Sequence, residues 1–246
     1  MKRLKAVIAY DGSVFSGFAR QRRAGIMSVT EAIESVLKNI GIDDTIIGAG
    51  RTDKGVHASG QVISFKALTQ IKTDKIRSLL NQKLYPHIYI KNLQEVPLDF
   101  HPRFDAKARG YRYIFGSQFI NPFISKYISQ EKFGDTMRIQ EALKLFVGVH
   151  HFGYFKKQGS PTKSDVREIL SARIYPHKIF SQTYQVIYLE GRGFLRSQVR
   201  LMVGIILAYS RGEVRLEDIT LQLEGQKRVF SCPVSPNGLY LCRVVY

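Results

Sequence analysis

The stretch Ser28-Val29-Thr30-Glu31-Ala32-Ile33-Glu34-Ser35-Val36-Leu37-Lys38-Asn39-Ile40-Gly41 decides the fold class. Ser28 followed three residues later by Glu31 is a capping box, which satisfies two of the free amides at a helix start. Val29, Ile33, Val36, Leu37 and Ile40 recur at helical spacing on one face, and Gly41 is a stop. Upstream, Lys5-Ala6-Val7-Ile8-Ala9-Tyr10 reads as a buried strand halted by Asp11-Gly12. Downstream, strands are expected at Thr45-Ile46-Ile47, at 61–65 and at 87–93, where Ile88 and Ile90 alternate with polar residues. A second helix is expected at 74–84, with Ile76, Leu79, Leu80 and Leu84 apolar. The order β-α-β-β-α-β is the ferredoxin-like plan.

The second half repeats this plan more loosely. Strands are expected at 110–115, 166–175, 181–190 and 239–245, with helices at 139–147, 194–209 and 216–223. The last strand enters through the Asn237-Gly238 turn. The expected architecture is therefore α+β. It has two ferredoxin-like halves, a mostly antiparallel sheet, helices on one side and a basic cleft between the halves. The division is expected as residues 1–98 and 99–246, joined near 97–105. A cleft between two such halves is a natural substrate site.

The chain has 246 residues, with 37 Lys and Arg against 20 Asp and Glu, a formal net charge of +17. Such an excess points to a polyanionic partner, a nucleic acid or an anionic membrane surface. The bland alternative is a soluble protein of high isoelectric point. The basic residues cluster: Arg20, Arg22 and Arg23 in one loop; Arg103, Lys107, Arg109 and Arg112 around the fifth strand; Lys156, Lys157 and Lys163; and Arg192, Arg196 and Arg200. With Leu195, Val199 and Met202 as a helical stripe, Arg196 and Arg200 fall four apart on a neighbouring face. Phe104, Tyr111, Tyr113, Phe152, Tyr154, Phe155 and Phe194 are interleaved with these charges. Cations for phosphates and aromatic faces for unstacked bases together suit RNA. Any one of these residues taken alone reads more readily as a solvated charge or a core aromatic, and it is the set as a whole that favours nucleic acid. A basic amphipathic helix of the membrane-surface kind is missing.

Several chemistries are excluded. Cys232 and Cys242 are the only cysteines, so there is neither a disulfide framework nor a four-ligand zinc cluster, and a reducing cytoplasmic setting is expected. The longest apolar run, 201–209, falls far below the ~20 residues of a membrane span, and the basic start lacks a signal-peptide pattern. No phosphate-cradling Gly motif and no G-x-S-x-G elbow occurs. His150-His151 has no partner at metal spacing. What remains is the loop Ala49-Gly50-Arg51-Thr52-Asp53-Lys54-Gly55-Val56-His57-Ala58. There Asp53 stands between Arg51 and Lys54, and nearby cations favour an ionised carboxylate, as a nucleophile or base needs. The same pattern also fits a turn aspartate that satisfies backbone amides.

This loop, with Gly60-Gln61-Val62 after it, resembles the signature of the TruA-type tRNA pseudouridine synthases. Further segments are similar to that family in order and spacing. They are Tyr10-Asp11-Gly12 with Gly17-Phe18, Asp99-Phe100-His101-Pro102-Arg103-Phe104-Asp105-Ala106, Arg109-Gly110-Tyr111-Arg112-Tyr113-Ile114, Phe194-Leu195-Arg196-Ser197-Gln198-Val199-Arg200 and Gly238-Leu239-Tyr240-Leu241. The family usually has a Trp near Phe18 and a Gln near Ala19, and often Asp and Ser where His151 and Tyr154 stand. The present chain contains no Trp.

The resemblance implies isomerisation of uridines 38, 39 and 40 in the tRNA anticodon stem-loop, with the C1′–N1 bond broken and a C1′–C5 bond made. It implies a homodimer that uses neither metal nor organic cofactor. Carried over by motif position, Asp53 is the nucleophile, and Arg51 and Arg200 are its cationic partners. Tyr111 stacks on the flipped uracil and assists proton transfer at C5. Arg20, Arg22, Arg23, Arg109, Phe155 and Arg196 are the expected RNA contacts. Tyr111 and Tyr113, two apart on a strand, share a face. A contrasting reading is an RNA-binding factor whose enzyme fold is idle.

Overall fold

A computed structural model describes residues 1–20, 25–160 and 162–246. The chain divides into two compact units, Met1–Lys107 with Tyr240–Tyr246, and Ala108–Leu239. The first thus extends past residue 98 to take in the joining segment, and it also recruits the C-terminal residues.

In the first unit the order is β1 (Lys2–Tyr10), α1 (Val29–Asn39), β2 (Ile47–Gly48), β3 (His57–Ala67), α2 (Thr73–Leu84) and β4 (Ile88–Val96). Strand β1 lies between β4 and β3 and is antiparallel to both, while β2 pairs with β3 antiparallel. This is the ferredoxin-like plan expected from the sequence. Leu4, Ala6, Ile8 and Tyr10 alternate inward along β1. Val29, Ile33 and Leu37 of α1 and Ile76, Leu80 and Leu84 of α2 are buried as the apolar face of each helix.

In the second unit the order is β5 (Ala108–Gly116), β6 (Ser129–Gln130), α3 (Thr136–Leu145), β7 (Gly148–His151), β8 (Val166–Ile179), β9 (Gln182–Gly191), α4 (Gln198–Ser210) and α5 (Leu216–Leu223). The strands run β5-β9-β8-β7, every neighbouring pair antiparallel, with β6 parallel beside β5. Helix α4 is apolar nearly all round, as a central helix must be. The final strand β10 (Leu239–Val245) pairs parallel with β3 in the first unit, Tyr240 opposite His57. Among the described residues no helix is long and apolar enough to cross a membrane.

The capping box at Ser28 forms. The Ser28 amide donates to Glu31 Oε2 at 2.8 Å, its hydroxyl donates to the same oxygen at 2.6 Å, and the Glu31 amide donates to Ser28 Oγ at 3.3 Å. The Ser28 hydroxyl, then its amide, hold the Glu31 carboxyl below its usual range. A carboxyl depressed in the folded state stabilises it above the unfolded pKa, and that contribution is lost as pH falls through the folded value. Ser28→Ala should therefore cost about 1 kcal/mol near neutral pH. That lowers Tm by roughly 2–4 °C in a chain of this size. The deficit should shrink on acidification below about pH 4, which thermal unfolding across pH will read.

Candidate active site

The Asp53 loop is fixed by the backbone that surrounds it. Strands β1 and β3 are antiparallel, so the end of β1 at Tyr10 lies opposite Ala58, beside the loop. The Tyr10 hydroxyl and Thr52 Oγ1 share a buried hydrogen bond of 2.7 Å. The Phe18 amide donates to the Thr52 carbonyl at 3.1 Å. On the other side, Gln61, fully buried, donates Nε2 to the Gly50 carbonyl at 2.7 Å, and the Ala49 amide donates to the Val62 carbonyl at 2.8 Å. Between these anchors the Val56 amide donates to the Asp53 carbonyl at 3.1 Å, closing a tight turn. Gly55, at φ +80°, supplies the left-handed residue that turn requires. It is the main chain of Asp53 that closes the turn. The Asp53 side chain is partly exposed, and Arg51 and Lys54 on either side are exposed.

The first loop makes close approach possible through two glycines. A Cβ on Gly12 would lie 2.0 Å from the Val56 carbonyl oxygen, and one on Gly17, at φ +122°, 3.0 Å from the Thr52 carbonyl oxygen. The Gly12 amide donates to His57 Nδ1 at 3.0 Å. That nitrogen is therefore a lone-pair acceptor and the proton of the neutral ring is on Nε2. Asp11 Oδ1 lies 3.4 Å from the same nitrogen. The His57 ring stacks on Tyr240 with centroids 4.9 Å apart.

In the second unit, Tyr111 on β5 is 8% exposed and meets Phe194 edge-on, centroids 5.1 Å apart. Tyr113 shares its strand face but is wholly buried, and its hydroxyl donates to Glu131 Oε1 at 2.7 Å. Burial first, then Glu131, pushes the Tyr113 phenol far up, so it stays protonated as a donor. Arg200, in the first turn of α4, donates Nε to the Val234 carbonyl at 2.7 Å.

Other expectations are corrected. Helix α4 begins at Gln198 rather than 194, because Ser197 is left-handed at φ +61°. There the Gln198 side chain caps the preceding turn, accepting from the Leu195 amide at 2.7 Å. Arg196 accordingly lies before the helix and does not share a helical face with Arg200; it is exposed, and its carbonyl accepts from the Lys157 amide at 3.0 Å. Phe155, expected to meet RNA, is wholly buried against Phe146 and Phe152, with centroids 5.4 and 5.8 Å away. It is a core residue. Arg109 is 9% exposed and donates Nη1 to the Arg192 carbonyl at 2.7 Å, which braces the turn after β9 from within. Arg20 is exposed and ion-paired with Glu34 of α1. Arg22 and Arg23 lie outside the described residues. The supports Tyr10, Thr52, Gln61 and Glu131 are functional neighbours that spacing alone does not single out. Tyr10, Thr52 and Gln61 nevertheless lie in the segments quoted for the resemblance, whereas Glu131 lies outside all of them.

Two substitutions separate packing from contact with RNA. Phe155→Ala should cost about 3–5 kcal/mol of stability, as a buried aromatic does, while tRNA affinity of the folded fraction stays unchanged; unfolding and filter-binding titrations check this pair. Gly12→Ala, by forcing the two loops apart, should cost roughly 1–3 kcal/mol and lower turnover as well, read from denaturant unfolding and steady-state assays.

Comparison with known proteins identifies the family. The family described as tRNA pseudouridine synthase matches residues 6–105 and 142–246. A tRNA pseudouridine synthase A of Helicobacter hepaticus is 48% identical over 251 residues, covering 100% of both chains. Proteins of the same name are 41% identical in Wolinella succinogenes, covering 100% of this chain and 95% of that one, and 42% identical in Helicobacter pylori strain P12, covering 100% of both. With a full-length match of this kind and the family's segments matched in both units, the chain belongs to the tRNA pseudouridine synthase family.

Proposed function

We propose that this member of the family converts uridines 38, 39 and 40 of the tRNA anticodon stem-loop to pseudouridine, with Asp53 as nucleophile. The observation that carries the reading is the loop around Asp53. Main-chain and buried side-chain bonds anchor it on both sides, and Asp53, at the start of its tight turn, is partly exposed. A rigid mount of this kind holds a reacting group near its productive geometry without cost at the moment of reaction.

In the reaction the C1′–N1 bond breaks, a C1′–C5 bond forms, C5 gives up its proton and N1 gains one. Asp53 attacks the nucleotide, and Arg51 and Arg200 supply positive charge to its carboxylate. Tyr111, steadied at its edge by Phe194, stacks on the uracil and assists proton transfer at C5. Because the target base starts within or beside a stem, it must be flipped out at a cost of a few kcal/mol, which aromatic stacking partly offsets. No cofactor takes part. The chain acts as a homodimer in the cytoplasm.

The docking surface is the positive excess. Arg20, Arg22, Arg23 and Arg196 contact phosphates. Phe104 is an exposed stacking face, 75% accessible and backed by the His101 ring at 4.2 Å. His101 Nδ1 accepts from the Arg103 and Phe104 amides, both at 3.2 Å, so this step is preformed.

Asp53→Asn should fold and bind tRNA yet form no pseudouridine, as read by mapping modified positions after incubation with unmodified tRNA. Full activity would remove Asp53 from the role of nucleophile, and tRNA binding without isomerisation by the wild type would favour an idle fold. Affinity should fall steeply with salt, the log–log slope growing with the phosphates contacted, and Arg20→Ala should flatten that slope by about one unit or less.

A further inference from the structure

We infer that Glu131 is a positioning residue for Arg200, setting where its guanidinium lies during the reaction. The inference rests on the role proposed above for Arg200. Glu131 follows β6 and is half-buried. Its Oε1 receives three donors: the Tyr113 hydroxyl at 2.7 Å, the Ser129 hydroxyl at 2.8 Å and the Ser235 amide at 3.2 Å. Hydrogen bonds to a carboxylate are about twice as strong as neutral ones. A single oxygen thus ties together β5, β6 and the segment that leads to β10.

That segment is also what holds Arg200. The Val234 carbonyl takes the Arg200 Nε proton at 2.7 Å, and the Val234 amide donates back to the Arg200 carbonyl at 3.2 Å. Val234 is therefore coupled to Arg200 through both of its peptide groups, and the next residue, Ser235, is coupled to Glu131. A second route runs through Tyr113. Its phenol donates to Glu131 and lies in the electrostatic field of Arg200, whose charge opposes the upward push of burial and of Glu131. The Tyr113 phenol thus feels Glu131 and Arg200 as opposite charges.

The plain alternative is that Glu131 serves as counter-ion to Arg211. Arg211 does feel Glu131, but its first partner is Glu213, held by Nε at 2.6 Å and Nη2 at 2.7 Å, and its Nη1 donates to the Lys132 carbonyl. Arg211 has its anion already. By contrast, Glu131 Oε1 takes donors from Tyr113 and from Ser235, the residue next to Val234.

The test is a double-mutant cycle in the full-length protein, with kcat, tRNA Kd and Tm measured for each variant. Glu131→Gln keeps the shape and removes the charge. The expected result is a fall in kcat on the order of tenfold with Kd unchanged, the signature of a misplaced group rather than lost binding. Tyr113→Phe, which deletes one donor and leaves the carboxylate, should give a smaller fall in the same direction, and it serves as the probe if Glu131→Gln does not fold. In an Arg200→Lys background Glu131→Gln should lower kcat no further, because the group it positions has already been changed. Additive effects in the cycle, or a kcat within twofold of wild type in both Glu131→Gln and Tyr113→Phe, would overturn the inference. Arg200→Ala separates the two levels of the argument. If it is inactive while Glu131→Gln is normal, only the positioning role fails. If it retains wild-type kcat, the role of Arg200 fails and this inference falls with it.

Discussion

The first unit is organised around one close contact: peptide backbone lying directly on peptide backbone where the loop after β1 meets the loop before β3. Gly12 and Gly17 permit it because a Cβ at Gly12 would overlap the Val56 carbonyl, and one at Gly17, on a left-handed backbone, would crowd the Thr52 carbonyl. Once the two loops touch, the rest follows in a chain. Val29 and Thr30 at the start of α1 donate to the carbonyls of Gly17 and Phe18, and Phe18 donates in turn to Thr52. The helix cap, the first loop and the Asp53 loop are one continuous hydrogen-bonded stack. The Tyr10 hydroxyl and the Gln61 amide lock its two sides.

The second unit solves a different problem, that of holding a long cationic side chain still. It does so by spending backbone groups. Val234 engages Arg200 through both its carbonyl and its amide, and Glu131 collects the neighbouring donors. The two aromatic residues on one face of β5 divide the work. Tyr113 goes inward to the carboxylate and Tyr111, also buried, packs edge-on against Phe194.

Much of this was legible. The capping box and apolar face of α1, the run of α5 at 216–223, the last strand at 239–245 and the order of the first unit all follow from local pattern, and the structure has them. The glycine-bracketed stretch around Asp53 was legible as a loop. What was not legible has physical reasons. The apolar stripe around Phe194 and Leu195 continues a helical period, yet the chain turns left-handed at Ser197 because the Gln198 side chain, not the main chain, satisfies the Leu195 amide. Strands β6 and β7, two and four residues long, are too short to show alternation. An aromatic residue among lysines looks the same in sequence whether it faces water, like Phe104, or the core, like Phe155. The pairing of Tyr240 with His57 joins residues far apart in the chain, and no local signal encodes such a partner.

Helix α4 has a consequence for how motion is distributed. Its residues are buried from Leu201 through Ser210, and at Gly204 the Cys232 carbonyl approaches so closely that a Cβ would come within 2.3 Å. A helix so enclosed opens only when the unit around it opens, so its amides belong with the slowest to exchange with solvent deuterium. Arg200 is rooted in the first turn of that helix. The root of this side chain thus sits on an element whose opening is coupled to that of its unit, rather than on a loop that opens alone.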